Sequence, residues 1–417
     1  MRKIKSAYRF CLWLLLLIVC KGISAQQRDL QYYIEFALKN SPLIQDFQNQ
    51  VADNSYDSLL FRANSKPQVS FSTLGYYAPV IDQYGYDNII TNGAQYDALL
   101  GVSWQPMWGK NAKAHAASYS IKGQSLANGK KLSEAELKRA ITSQFITTYG
   151  SWLQIQFTNQ LHQVLTGENT ALKEYAEKGN YKQTDYLNFL ITYQQMDLQI
   201  QQLSSQYRYN LQTLNYLCGI TDTATITLAE PLLKQSDNFS FINSIFYKQF
   251  ELDSLKYLNE KKIVDYNYLP KLTIGSDAGY NTSFMLTPYK NFGASAGFNL
   301  SVPIYDGKQR VLKQKQIQLY DLTRTSYRDF FLRQHSTQFN QLQQQLADVD
   351  KLIASSNAQL GYSDGLIDSY KKLIGTGDVH ISDYIIALNN YMQLKNNITQ
   401  NTIARLQIIN QLNYLNQ

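Results

Sequence analysis

A chain of 417 residues, 44% apolar and 17% charged, has material for a sizeable core and is not a disordered polymer. Its formal charge of +7 is concentrated at the start, where Arg2, Lys3, Lys5, Arg9 and Lys21 lie in an acid-free leader. The remainder is close to neutral, so bulk charge gives no footprint for nucleic acid. A mean hydropathy of −0.35 excludes a bundle of membrane helices. The longest apolar run, Phe10 to Cys20, is well short of the ~20 residues a spanning helix needs.

Residues 1–25 read as an export signal. They comprise the basic stretch, the apolar run and a small-residue exit, Ile23-Ser24-Ala25, before Gln26. The run is too short for an uncleaved anchor, and Val19 and Lys21 flank Cys20 unfavourably for lipidation. Cleavage removes Cys11 and Cys20 and leaves Cys218 alone. No intrachain disulfide is then available, and stability has to come from packing or oligomerisation.

The eight prolines are punctuation: none falls between Pro106 and Pro231 or after Pro303. Proline costs about 3 kcal/mol inside a helix, so these gaps permit very long helices. Leu342, Leu346, Val349, Ile353 and Leu360 have the spacing of a supercoiled seam, with Gln, Asn, Ser, Lys and Asp between. The sequence also repeats. Pro67-Gln-Val-Ser-Phe71 matches Pro270-Lys-Leu-Thr-Ile274, and Trp104-Gln-Pro-Met-Trp-Gly109-Lys110 matches Val302-Pro-Ile-Tyr-Asp-Gly307-Lys308. Gly179 with Thr184-Asp185-Tyr186 matches Gly377 with Ser382-Asp383-Tyr384. Each half reads helix, proline, two strands, glycine, long helix, glycine turn, helix. The expected divisions are a signal over 1–25, repeats over 26–218 and 238–417, and a linker over 219–237, with 26–417 forming one structural unit.

The strands alternate. Tyr96, Ala98, Leu100, Val102 and Trp104 oppose Gln95, Asp97, Leu99, Gly101 and Ser103. Phe292 to Val302 does the same, as do Val69 to Tyr77, with Leu74 out of pattern, and Leu272 to Tyr280. Each run approaches the 9–11 residues that cross a bilayer when tilted. A small soluble sheet also alternates, but here the second face is small and polar and offers nothing for a dry core. Four strands cannot close a barrel, and an open edge in lipid is prohibitive, so other copies of the chain must complete the sheet. Trp104, Trp108 and Tyr305 stand where strand gives way to helix. They fit an interfacial aromatic girdle or plain packing at the corner.

Taken together, these features resemble the TolC-like outer-membrane efflux proteins. Val302-Pro-Ile-Tyr-Asp-Gly-Lys-Gln-Arg310 is similar to the family's Pro-Leu-Phe-Asp-Gly-Gly-x-Arg segment, with Lys308 in place of the second glycine. Gly377-Asp-Val-His-Ile-Ser-Asp383-Tyr384 resembles its Gly-x-x-x-(Ser/Thr)-x-Asp-Val-Leu turn. Ala37-Leu-Lys-Asn-Ser-Pro42 resembles its Ala-Leu-x-Asn-Pro opening, with Ser41 inserted. The resemblance implies a mainly α chain with a β-barrel portion: a homotrimer whose four strands per chain make a 12-stranded barrel, continued by a periplasmic α-barrel of long helices. It implies an outer-membrane duct of a tripartite efflux or type I secretion system. That duct would sit in outer-membrane lipid, work with an inner-membrane pump and a periplasmic adaptor, and use no cofactor. A helix from Gly307 to about Ile374 would be ~100 Å long, a length suited to a conduit across the periplasm. The rival reading, a periplasmic adaptor or coiled-coil structural protein, explains the hairpins but not four alternating strands.

The turns at Gly179-Asn180 and Gly375-Thr-Gly377 are helix caps on local grounds. Thr184 and Ser382 read as N-caps, and Asp185 and Asp383 as first-turn acids favoured by the helix dipole. Through the resemblance, Gly179, Asn180, Thr184, Gly375, Gly377 and Ser382 mark tips docked by an adaptor. Asp383, with Asp185, marks an acidic constriction. Ile386 replaces the family's second acid there, and Ile374 and Val379 replace its restraining Tyr and Arg. Enzyme chemistry is unsupported: His115, His162, His335 and His380 lack metal spacing, and no nucleophile elbow or phosphate loop occurs.

Overall fold

The computed structural model describes residues 28–86, 94–107, 109–236, 241–283, 290–376 and 378–417. The expected export signal, Trp108 and Gly377 lie outside the described residues. The elements are α1 (Leu30–Asn40), α2 (Pro42–Asn64), β1 (Gln68–Tyr77), β2 (Ala94–Trp104), α3 (Gly109–Glu177), α4 (Gln183–Cys218), α5 (Ile245–Tyr266), β3 (Lys271–Thr282), β4 (Phe292–Ser301), α6 (Gln309–Thr376) and α7 (Ile381–Leu415). The order helix, two strands, long helix, helix thus occurs twice. Helix α3 has 69 residues and α6 has 68, and no described proline interrupts either. The chain forms two compact units. One holds the described part of Met1–Gln45 with Lys131–Ser244 and Leu332–Gln417, the other Asp46–Lys130 and Ile245–Phe331. Each unit draws on both halves of the sequence.

The second unit contains the sheet, a single antiparallel layer in the order β1-β2-β3-β4. Direct partners share a face, so the register sorts the side chains. Val69 pairs with Val102, Phe71 with Leu100, Trp104 with Ile274, Ile274 with Phe298 and Leu272 with Leu300. The opposite face pairs Ser70 with Gly101, Gly101 with Asp277 and Asp277 with Ser295. No charged residue lies on the first face of the four strands. Strands β1 and β4 pair on one side only among the described residues, and every residue of both is exposed. Leu74, the exception to alternation, lies on the polar face opposite Asp97, whose Oδ1 accepts the Leu74 N–H at 2.8 Å. Between β1 and β4 the strand ends step by four residues in one direction. With ~3.4 Å per residue and ~4.8 Å between strands, that stagger is a tilt of about 43°.

Helix packing in this unit relies on amides as well as apolar contact. Asn54 Nδ2 donates to the Tyr119 carbonyl at 2.9 Å, Asn259 Nδ2 to Ala114 at 2.8 Å, and Asn128 Nδ2 to Ile245 at 3.0 Å. Phe61 stacks on His115 at 5.1 Å.

The first unit has larger cores. Tyr33, Ile141, Phe145, Leu211, Leu214 and Leu228 form one, and Leu342, Leu346, Ile409, Leu412 and Leu415 another. The anticipated seam is therefore real: Leu342 and Leu346 are buried, and Val349, Ile353 and Leu360 are half-buried. Cys218 is a free, buried thiol, and burial pushes its pKa up to about 12. Helix α3 runs antiparallel to α7. Asn410 Nδ2 donates to the Arg139 carbonyl at 3.0 Å, Gln407 Nε2 to Ser143 at 2.8 Å, and Gln154 Nε2 to Asn396 Oδ1 at 3.0 Å. At Gly150 the helices nearly touch, because a Cβ there would lie 2.1 Å from Ile403 Cδ1. The linker residues Gly219–Ser236 pack on this unit. Arg28 and Leu228 form a parallel bridge, Arg28 pairs with Asp222 at 2.8 Å, and Asn413 Oδ1 accepts the Ser236 N–H at 2.9 Å.

Candidate functional site at the helix tips

Four helix ends meet in the first unit: the C-termini of α3 and α6 and the N-termini of α4 and α7. The α3 stop is a Schellman turn. Gly179 has φ of 80°, its N–H donates to the Ala176 carbonyl at 3.1 Å, and Asn180 N–H donates to Tyr175 at 2.9 Å. The second tip keeps the spacing, with Asp378 N–H donating to the Leu373 carbonyl at 3.2 Å. Gly375 is not a turn residue: it lies inside α6, where a Cβ would come 3.8 Å from Tyr175 Oη.

Thr184 and Ser382 are not N-caps. The last extended residues are Lys182 (ψ 141°) and His380 (ψ 136°), neither with a side-chain cap. Their carbonyls accept from Asp185 N–H at 3.0 Å and Asp383 N–H at 3.1 Å. Thr184 and Ser382 are therefore second helical residues. At the second tip the early start is explained by Ile381, which is fully buried and has to be inside the helix to reach the core. Asp185 and Asp383 are the acids of their first turns, Asp185 half-buried and Asp383 exposed.

Beneath the turns lies an apolar core that includes Leu165, Leu172, Phe189, Ile374, Ile381 and Tyr384, with Val379 packed against it. Ile374 and Val379 thus fill the core where the resemblance places a restraining Tyr and Arg. The polar ties come from other residues. Tyr181 Oη donates to the Ile374 carbonyl at 2.9 Å, and Tyr384 Oη donates to the Glu168 carboxylate. Burial pushes the Glu168 carboxyl above the usual range, against the opposing effect of the Tyr384 hydrogen bond. Burial, then the facing carboxylate, raises the Tyr384 phenol. In the sequence Tyr384 stands out only within the repeat and the glycine-turn motif. Its partner Glu168 lies on another helix, and nothing local marks the pair.

At the strand-to-helix corner, Gly109 and Gly307 both have φ of 64°, and Lys308 has φ of 68°. Gly307 and Lys308 are thus two successive left-handed residues, and the Lys308 backbone adopts that conformation despite its side chain. Asp306 Oδ2 accepts the Arg310 N–H at 2.7 Å. That bond and the Tyr268 hydroxyl hold its carboxyl below the ordinary range. Trp104 Nε1 donates to the Ser65 carbonyl at 3.0 Å and is half-buried, so it packs into the corner; Tyr305 is 84% exposed.

Among the described residues no group of three or more His, Cys, Asp or Glu could hold a metal ion. No described helix is long and apolar enough to cross a membrane. No family model matches the sequence, and no curated protein matches it. Solved structures do match. A membrane protein from Pseudomonas aeruginosa aligns over 93% of this chain and 92% of its own, with a TM-score of 0.75 and 12% identity. The outer-membrane protein VceC of Vibrio cholerae aligns over 93% and 96%, with a TM-score of 0.75 and 10% identity. The open state of the Neisseria gonorrhoeae MtrE outer-membrane channel aligns over 93% and 88%, with a TM-score of 0.74 and 10% identity. The chain has the fold of outer-membrane channels. That is the fold implied by its resemblance to the TolC-like proteins, and it covers nearly the whole length of each molecule matched.

Proposed function

We propose that this chain is one third of an outer-membrane exit duct, a passive conduit and not an enzyme. The observation that carries the reading is the sheet: four tilted strands, apolar on one face and polar on the other, with both edges open among the described residues. Unpaired edge amides are prohibitively costly in hydrocarbon, and three copies joined β4 to β1 make a closed 12-stranded barrel with lipid outside and water within. Helices α4 and α7, with the tip-bearing parts of α3 and α6, are the periplasmic part of the chain. The duct serves an inner-membrane pump through a periplasmic adaptor that docks at the tips marked in the sequence by Gly179 with Asn180 and Thr184, and by Gly375 and Gly377 with Ser382. Asp383, exposed in the first turn of α7, lends negative charge to the entrance, and Asp185 sits equivalently on α4. An adaptor or scaffold has no use for a two-faced sheet, which disfavours that alternative. The test is the mass of the detergent-extracted protein, unboiled. Recovery from the outer-membrane fraction as three chains is the expected result; a water-soluble monomer would overturn the reading.

A further inference from the structure

Beyond β1 the chain doubles back at once. The N–H of Ile81 donates to the Tyr84 carbonyl at 3.0 Å and the N–H of Tyr84 to the Ile81 carbonyl at 2.9 Å, closing a two-residue turn. Its central residues, Asp82 and Gln83, have φ of 48° and 71°, the two successive left-handed residues that a type I′ turn demands. Gly85 packs against the other leg, where a Cβ would lie 2.8 Å from the Pro79 carbonyl oxygen and 3.0 Å from Val80 Cα. Ala78 is buried at the base, yet the hairpin presents an apolar surface. Ile81 is 66% and Tyr84 84% exposed, and Val80 and Tyr86 are exposed beside them. Asp82 is the one charged residue between Ala78 and Tyr86. A closed turn with uncovered apolar side chains marks an interaction surface.

We propose that the hairpin over 79–86 is a clasp: it packs on the start of β4 in the next copy of the chain, around Phe292, and ties the copies together at the outer end of the barrel. The inference rests on the duct reading above. Hydrocarbon does not reach the hairpin. The 10 residues of β1 rise about 25 Å at a tilt of about 43°, which already matches the ~25 Å apolar band of a membrane barrel. The stagger gives the neighbour instead. Strand ends step by four residues over the three joints of the sheet. One more step of that size, carried across the joint between copies, sets Phe292 of the next copy alongside residues 78 and 79. Phe292 is the first residue of β4 and is itself exposed. Within one chain β1 and β4 are opposite edges, three strand spacings or ~14 Å apart, so the hairpin does not serve its own β4. The contact is head-to-tail, hairpin onto β4, and three of them close the same ring as the sheet.

The experiment introduces Ile81→Cys and Phe292→Cys, singly and together, in a Cys218→Ala background, and treats intact cells with a short bismaleimide. On a boiled gel the double variant should give covalent species of two and three chains, and each single variant a monomer. Dimers without trimers from Ile81→Cys alone would mean that hairpins meet one another across the barrel mouth, and would sink the clasp. Monomers from the double variant would sink it too, and would leave the duct reading standing if the unboiled protein still runs as three chains. A water-soluble monomer would sink the duct reading itself. A second measurement needs no cross-link. Ile81→Ser with Tyr84→Ser keeps the main-chain bonds of the turn and removes its apolar surface. It should lower by several degrees the temperature at which the unboiled three-chain species separates, and an unchanged temperature would overturn the clasp.

Discussion

Lys308 occupies a left-handed conformation with φ of 68°, directly after Gly307 at 64°. An L-residue with a Cβ pays about 1–2 kcal/mol there, while introducing glycine costs about 0.5–1 kcal/mol through the freer unfolded chain. Lys308 is exposed and makes no ion pair among the described residues, so its side chain contributes little to offset this. Lys308→Gly should therefore stabilise the corner by up to about 1 kcal/mol. Gly307→Ala should act in the opposite sense: its Cβ meets nothing within 4 Å, so the backbone conformation alone is at issue. Unfolding of an assembled membrane protein is seldom reversible, which makes local opening the better measure. Hydrogen exchange at the first-turn amides of α6 should slow by up to about fivefold in Lys308→Gly and quicken in Gly307→Ala. Exchange in Lys308→Gly equal to or faster than the parent would refute the reasoning.

Three other outcomes follow from the geometry. Glu168 has a raised folded-state pKa, so its folded form holds the proton more tightly; that stabilisation is present at low pH and is lost as pH rises through the folded value. Proteolysis at the tips should accordingly grow with rising pH above the ordinary carboxylate range, and Glu168→Gln should flatten the profile. Gly279→Val should abolish assembled protein in the outer membrane while leaving synthesis intact, because a Cβ at Gly279 would lie 2.1 Å from the Ala98 carbonyl oxygen and 3.0 Å from Leu99 Cα; normal assembly would contradict the β2–β3 register. Asp383→Asn should weaken cation preference in planar bilayers, and unchanged selectivity would remove Asp383 from the entrance.

Period and punctuation made much of the fold legible. The alternation in β2 and β4, the proline-free stretches and the paired glycines each report a local backbone state, and each element appeared within a few residues of its expected place. The corner was legible for the same reason, since a glycine at positive φ leaves a mark in one position of the chain. Residues whose meaning depends on distant partners were not. Trp104 looked equally suited to lipid and to the corner until Ser65 supplied its acceptor. Thr184 and Ser382 had the chemistry of caps but lay two residues past the last extended backbone. Asn and Gln on the long helices carry no local sign of a partner, whereas several of them bond to carbonyls on a neighbouring helix.

Those amide contacts bear on how two long helices find their alignment. A seam of leucines repeating every seven residues is nearly indifferent to a slip of one repeat, because each knob meets another hole much like the first. Between α3 and α7, however, Asn410 holds the carbonyl of Arg139, Gln407 that of Ser143, and Ile403 fits a notch that only Gly150 provides. A slipped pairing would forfeit both directional bonds together and drive an isoleucine into ordinary side chains. The helices therefore carry something like the wards of a lock: many alignments slide in, and one turns.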